Sequence, residues 1–328
     1  MSNNFFYNLQ GIFFLLIPQV NKLEKKIEKL LLKYDTKVEE IASRINYYCN
    51  FDQTIALPSK HIHSKGDLLK QGSRYCYDFY EYMRYFNPHL HFHLESGDVN
   101  YFTKTPSFCK SRPITDSKNN NILLKLDKKR HFKFLTQDFL ESLPTYTQKI
   151  NKIFFRGGCY QQHRQNFMQK FFSHPLVNAG HVGSLRNEDF RKWYKGKASL
   201  KEHLQYKFIL SLEGNDVATN LKWIMSSNSL ALMPKPKFET WFMEGKLIEN
   251  VHYLRINEDF TNLEEQVDFI LNNQKLAQDI IHNANLYVKQ FIDKDFEDLI
   301  SLLVLRKFFY QTNQMKVSHI EEALFKPL

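Results

Sequence analysis

YKFILSLEGNDVATNLKWIMSSNSLALM, residues 206–233, is the stretch on which the fold class turns. Tyr206–Leu212 is an apolar run that breaks at Glu213-Gly214-Asn215-Asp216. Val217–Ser226 follows with Val217, Leu221, Ile224 and Met225 at helical spacing, and Ser229–Met233 is apolar again. Strand, short loop, helix, strand is the parallel βαβ unit of an α/β domain. Upstream, Lys152–Phe155 predicts another strand, ending in Arg156-Gly157-Gly158, and Gln161–Phe172 a helix. Downstream, Leu263–Ile292 and Phe296–Phe309 predict helices. This rhythm begins after Pro144–Lys149, which places a boundary between an N-terminal domain, 1–149, and a C-terminal domain, 150–328.

The N-terminal half reads differently. Leu23, Ile27, Leu30, Tyr34, Val38, Ile41, Ile45 and Tyr48 recur at steps of three and four, so residues 21–48 predict one long amphipathic helix. Phe5–Ile17 reads as a core element, with a helix on a membrane surface as the other reading. Residues 50–88 are aromatic and irregular. His89, His91, His93 and Glu95 then alternate with Leu90, Phe92 and Leu94, which predicts a half-buried strand. It runs into Ser96-Gly97-Asp98-Val99, a turn that leaves a carboxylate at a strand end. Short strands are expected at Ile122–Leu126 and Phe132–Leu135.

Composition bounds the function. With 328 residues, 43% hydrophobic and 24% charged, the chain suits about two globular domains. The longest apolar run, Ile12–Ile17, is too short to span a bilayer, and no leader pattern accompanies it. Cys49, Cys76, Cys109 and Cys159 form no CxxC pair, which points to reduced core thiols and a cytoplasmic setting. The net charge of +10 is local: residues 101–170 hold fourteen Lys or Arg against four Asp or Glu, so the remainder balances. A basic surface of that kind suits an anionic partner. A nucleic-acid binder would interleave exposed aromatics with basic residues, whereas these aromatics follow core periodicity, so no nucleic acid is expected. The three His of 89–93 have the residue type of a metal site. Same-face neighbours on one strand rarely converge on one ion, however, so a polar strand face is expected and a metal hydrolase is not.

Ligands of an open parallel sheet bind beyond the carboxyl ends of its strands. Two loops meet that condition, 156–164 and 213–220. The second leads into a helix N-terminus, which favours an anion. Asn215 or Asp216 could cap that helix, Gly214 permits close backbone approach, and Arg156 and Arg164 carry the fork geometry that grips a diphosphate.

In order, "KIFFRGG…HR" (152–164), residues 205–234, "FETWFMEGKL" (238–247) and "NVHYLRI" (250–256) resemble glycosyltransferase family 90. "GDVNYFTKTPSFCKSRPI" (97–114) and "NILLKLDKKRHF" (121–132) resemble its bacterial lipopolysaccharide branch. The likeness runs from about Phe92 to Phe291 and leaves out residues 1–88. It implies a GT-B architecture, two Rossmann-like domains facing across a cleft, with the nucleotide sugar mainly on the C-terminal one. It implies inversion at the anomeric carbon, with an Asp as the base; the matching residue is Asp98. It implies donor contacts by Arg156, Gly157, Gly158 and Arg164, by the loop Gly214, Asn215, Asp216, Val217, Ala218, Thr219 and Asn220, and by Glu239 at the ribose. The Rumi-type pattern carries an Arg where this chain has Asn220; Lys222 would supply the charge instead. Trp241 and Phe242 read as core.

The resemblance therefore implies transfer of glucose or galactose from a UDP-sugar to the lipopolysaccharide inner core, at a heptose. A capsule glycan or a protein is the alternative acceptor. Lys110, Arg112, Arg130 and His131 are expected on the acceptor side, together with peripheral contact at an anionic membrane surface. No DxD motif stands where a metal-dependent transferase needs one, so no metal or other cofactor is expected, and cations take the leaving charge.

Overall fold

The computed structural model describes residues 2–51, 57, 68 and 73–326. Among them the strands are β1 (Leu94–Glu95), β2 (Ser107–Cys109), β3 (Ser111–Pro113), β4 (Asn121–Leu123), β5 (Ile150–Gly157), β6 (Val177–His181), β7 (Tyr206–Leu210), β8 (Leu230–Met233), β9 (Phe238–Thr240) and β10 (Leu254–Arg255). They form a parallel sheet β1-β2-β4, a parallel sheet β10-β8-β7-β5-β6 and an antiparallel pair β3-β9. The class is α/β, as the 206–233 stretch predicts. The chain divides into two compact units, the first drawn from 1–128, 238–242 and 291–328, the second from 129–237 and 243–290.

The expected division at 149/150 therefore moves, and the chain crosses between units more than once. The reasons are β9, which pairs with β3, and the helix Lys294–Gln311. That helix is buried on all sides from Phe296 to Phe309, its charged residues included. It lies against α2 (Leu23–Lys33), α3 (Val38–Tyr48) and α4 (Ser73–Met83). Its rings join those of the first unit: Phe308 meets Phe108 at 4.5 Å and Phe309 meets Phe86 at 5.3 Å between centroids. Its buried charges all have partners. Glu297 pairs with Arg44 at 2.7 Å and Lys125 at 3.0 Å, Asp298 with Lys26 at 3.1 Å, and Arg306 with Glu321 at 2.5 Å.

Elsewhere in the first unit the expectations shift locally. The predicted helix 21–48 is two helices, because Tyr34 leaves helical geometry at φ −119°, ψ 33° and its phenol donates to Asp293 at 2.7 Å. Asp35 and Thr36, poor helix formers, follow it in a single 3₁₀ turn. Val38 is exposed, while the other stripe positions are buried. Within the supposedly irregular 50–88, α4 forms because Cys76, Phe79, Tyr82 and Met83 recur at helical spacing and are buried; 52–56, 58–67 and 69–72 lie outside the described residues. Of the 89–95 alternation only Leu94–Glu95 joins a ladder, although Phe92 and Leu94 point inward as expected. Phe132–Leu135 is not a strand; Leu135 N–H donates to Ser226 Oγ at 3.1 Å instead of to a neighbouring strand. Residues 5–17 are mostly helical (α1, Ser2–Leu16) but largely exposed, not core. No described helix is long and apolar enough to cross a membrane.

The second unit follows its sequence more closely. β5 and β6 are joined through α5 (Gln162–Phe171), and β7 and β8 through α6 (Leu221–Met225). The expected helix from Val217 thus starts only at Leu221; Val217 and Ala218 are buried in the loop before it. The predicted Leu263–Ile292 is two helices, α7 (Leu263–Asn272) and α8 (Gln274–Lys289), divided at Asn273. Phe208, Leu210, Leu230 and Leu232 are at most 1% exposed and belong to one apolar cluster with Ile153, Phe155 and Phe167. Each such side chain contributes about 1.5–3 kcal/mol when fully buried. All four cysteines are free and buried, as their spacing implies.

Candidate active site

In the first unit, β1 ends at Glu95 and the chain turns through Ser96-Gly97-Asp98. Gly97 has φ +97°, a conformation that strains any side chain, so glycine is required there. Val99, 1% exposed, anchors the turn from below, its N–H donating to Ser111 Oγ at 3.2 Å, and Tyr75 OH donates to Gly97 O at 3.2 Å. Lys110 Nζ lies 2.6 Å from Asp98 Oδ1. The lysine side chain is fully buried and the aspartate side chain 25% exposed, so a charge held inside the unit supports a carboxylate that reaches solvent. A buried ammonium without a counter-charge would be costly, and Asp98 supplies that counter-charge to Lys110. Tyr101 and Phe102, exposed aromatics that our sequence analysis did not single out, follow directly in the chain.

Arg112 and Glu239 were expected on different substrates. The structure makes them partners, directly opposite on β3 and β9, with Arg112 Nε 2.8 Å from Glu239 Oε1. Arg112 also donates to Asn121 O at 3.1 Å and Tyr47 O at 2.8 Å, and the Tyr47 phenol donates to Glu239 Oε2. Both side chains are at most 2% exposed. They tie the excursion 238–242 into the first unit. Nothing in a single sequence signals an antiparallel pairing across that many residues. Trp241 is core, as expected: it stacks on Tyr48 at 3.9 Å, and its Nε1 donates to Glu297 at 2.7 Å.

In the second unit the sheet order shows where the chain reverses. From β5 it moves to β6 on one side, then to β7 on the other, and onward to β8 and β10. The crevice at such a reversal, beyond the carboxyl ends of β5 and β7, is where open α/β sheets bind ligands. Both loops singled out from the sequence leave from those two ends. Arg164, at the start of α5, binds them together: Nη1 donates to Gly158 O at 2.9 Å, Nη2 to Leu212 O at 2.6 Å and Nε to Glu213 O at 2.9 Å. His163 Nε2 lies 2.9 Å from the same Glu213 carbonyl. Burial lowers the Arg164 pKa from its usual value, and the positive charge of Arg130 lowers it further.

The remaining expected donor residues fall into two groups. Asn215 is exposed at the loop tip, its Oδ1 accepting from Gln161 at 3.0 Å, and Gly214 N–H donates to Asp216 O at 3.0 Å. Asn220 fastens the loop to its strand, donating to Leu210 O at 3.1 Å and accepting from Ser211 Oγ at 3.0 Å. Gly157 and Gly158 have rings where a Cβ would stand, of Phe155 at 2.8 Å and Tyr160 at 2.7 Å. Val217, Ala218 and Asp216 are buried, and Thr219 is half-buried. Arg156 turns away along the sheet, donating to Asn178 O and Oδ1, both at 2.9 Å, with its guanidinium 4.3 Å from the Phe154 ring. Lys222 is fully buried against Glu244, and His131 is fully buried. Arg130, expected on the acceptor side, belongs to the second unit, is exposed, and is close enough to Arg164 for its charge to be felt there. The helical dipole expected behind Asn220 is that of a five-residue helix only. Among the described residues no group of three His, Cys, Asp or Glu is arranged to hold a metal ion, His89–His93 included.

An α/β chain with a stapled loop pair at its sheet reversal and a solvent-reaching carboxylate at another strand end has the parts of a group-transfer enzyme. The model of "Glycosyl transferase family 90" matches residues 131–303. The O-glucosyltransferase LpsA of Dichelobacter nodosus is 41% identical over 269 residues, 82% of this chain and 82% of the relative. Protein O-glucosyltransferase 1 of Homo sapiens is 22% identical over 169 residues, 48% of this chain and 42% of the human protein. The protein is a glycosyltransferase. It belongs to glycosyltransferase family 90.

Proposed function

We propose that the protein transfers glucose from UDP-glucose to a heptose of the lipopolysaccharide inner core, with inversion and without a metal, on a GT-B arrangement of two Rossmann-like units. The observation that carries this reading is the pair of loops at the reversal of the parallel sheet, clamped by Arg164 with Arg130 exposed nearby. Both relatives are named as glucosyltransferases, which favours glucose over galactose. The basic residues of 101–170 that stay exposed, Arg130 and Lys133 among them, favour an anionic acceptor.

The step is a single displacement. The acceptor oxygen forms its bond to the anomeric carbon as the bond from that carbon to the UDP oxygen breaks. The acceptor proton passes to the Asp98 carboxylate, and UDP leaves with both electrons of the broken bond. Lys110 orients Asp98. Arg164 is a positioning residue, because its guanidinium is bound to the backbone of both loops, and Arg130 is the cation that meets the leaving diphosphate. Glu239 and Arg112 keep no substrate role in this reading.

Two measurements test it. A thermal-shift panel of nucleotide sugars should stabilise the protein with UDP species above all others, by about 2.7 kcal/mol at one hundred times Kd. Incubation with UDP-glucose and a heptose-containing core oligosaccharide should give a β-linked glucoside. Stabilisation by another nucleotide class, or a retained α-linkage, would contradict the proposal.

A further inference from the structure

α1 is SNNFFYNLQGIFFLL, fifteen residues without a charge. One narrow face fixes it to α4. Gly11 lies flat on the Tyr77 ring, where a Cβ would come within 2.2 Å of a ring carbon. Tyr7 OH donates to Asp78 Oδ1 at 3.0 Å, and Phe14 lies under the Arg84 guanidinium at 4.4 Å. The opposite side is apolar and open: Phe5, Phe6, Leu9, Ile12, Phe13 and Leu16 are between 44% and 69% exposed. Soluble proteins rarely leave so many large apolar side chains contiguous and uncovered. The docking contacts hold this face outward.

The adjoining segment carries the complementary charge. Lys22, Lys25 and Lys29 are exposed at i, i+3 and i+7 along α2 and its N-terminal flank, followed by Leu32 at 72% exposure. An uncharged aromatic helix followed in the chain by an exposed lysine row matches a surface that offers acyl chains and phosphates together. A second copy of this chain would offer apolar surface but only the same lysines. At 1.5 Å per residue, fifteen residues reach about 22 Å, short of the ~30 Å hydrocarbon core, so such a helix lies in the interface and does not cross it.

We infer that α1 is an interfacial docking helix: Phe5, Phe6, Leu9, Phe13 and Leu16 enter the headgroup–acyl boundary of an anionic bilayer, and Lys22, Lys25 and Lys29 meet its phosphates. The inference deepens the lipopolysaccharide reading, since an acceptor anchored in a bilayer is reached by an enzyme seated on that bilayer. Its test is separate from sugar transfer. The full-length protein should float with vesicles of phosphatidylethanolamine and phosphatidylglycerol, and much less with phosphatidylcholine alone. Phe6→Glu/Phe13→Glu should lower vesicle binding at least tenfold with an unchanged melting temperature. Each Lys→Gln change at 22, 25 or 29 should lower it roughly fivefold. Phe5→Ser/Leu16→Ser is the milder variant should the double glutamate fail to fold. No flotation of the parent, or flotation of both double variants equal to that of the parent, overturns the inference. So does a dimer that the same variants convert to monomer while the parent ignores vesicles. Flotation without transfer to the core oligosaccharide would defeat the lipopolysaccharide reading and leave the docking helix standing.

Discussion

The two units handle burial in opposite ways. The second seals its sheet with apolar side chains, Phe208, Leu210, Leu230 and Leu232 among them, and its βαβ rhythm from β5 to β8 is continuous along the chain. The first is organised around the helix Lys294–Gln311, whose interior turns carry Glu297, Asp298, Arg306 and Lys307, all at most 6% exposed. An apolar core of the first kind fails by cavity. A core laced with ion pairs fails when one partner is removed and the other is left charged and dry.

The largest expected effect sharpens that contrast. Glu239→Leu strands Arg112 inside the first unit and should cost about 3–5 kcal/mol of stability, with part of the loss restored by adding Arg112→Met. Chemical denaturation of both variants checks it. If Glu239→Leu left stability unchanged and weakened UDP-glucose binding, the glutamate would be a ribose ligand after all.

Next comes a pH effect in the second unit. Lys149 is buried, donating to Leu204 O and Ser229 Oγ at 2.6 Å each, and burial lowers its pKa from 10.5 to about 7. Between those values the unfolded chain binds the extra proton, so stability rises with pH above about 7 and is flat below it for this group. Over two pH units the gain is on the order of 2 kcal/mol. Lys149→Met should remove this slope between pH 7 and 9 in denaturation curves; an equal slope in parent and variant would refute the assignment.

The smallest effect concerns the clamp. Arg164→Lys keeps the charge and loses the fork that reaches both loops, so KM for UDP-glucose should rise by about tenfold while the melting temperature changes little. A fall in kcat with KM unchanged would make Arg164 a direct transition-state contact instead.

What the sequence disclosed follows the same contrast. β5, β7 and β8 are legible because strands buried on both faces of a parallel sheet are continuous apolar runs. The loops at their ends, Gly157-Gly158 and Gly214–Asn220, and the turn at Asp98 are legible for the same reason, since a strand end is a local feature. The charges of 294–311 are not, because a buried Glu297 and a solvated glutamate are written with the same letter. The pairing of Arg112 with Glu239 was not legible, for want of any local mark of the β3–β9 ladder. The hydrogen bonds of Arg164 were not legible, because they go to carbonyls that only the folded loops bring together. Tyr34 interrupts a helix whose apolar spacing runs on unbroken, because a distant Asp293 holds its phenol.

The central claim is that Asp98 accepts the acceptor's proton in glucosyl transfer. Asp98→Asn keeps the size of the side chain and removes the base, so transfer should fall by about 10²–10⁴-fold. UDP binding, measured by calorimetry on the same preparation, should keep its Kd. Transfer at the parent rate, or a loss of UDP binding in parallel with a loss of transfer, would contradict the account.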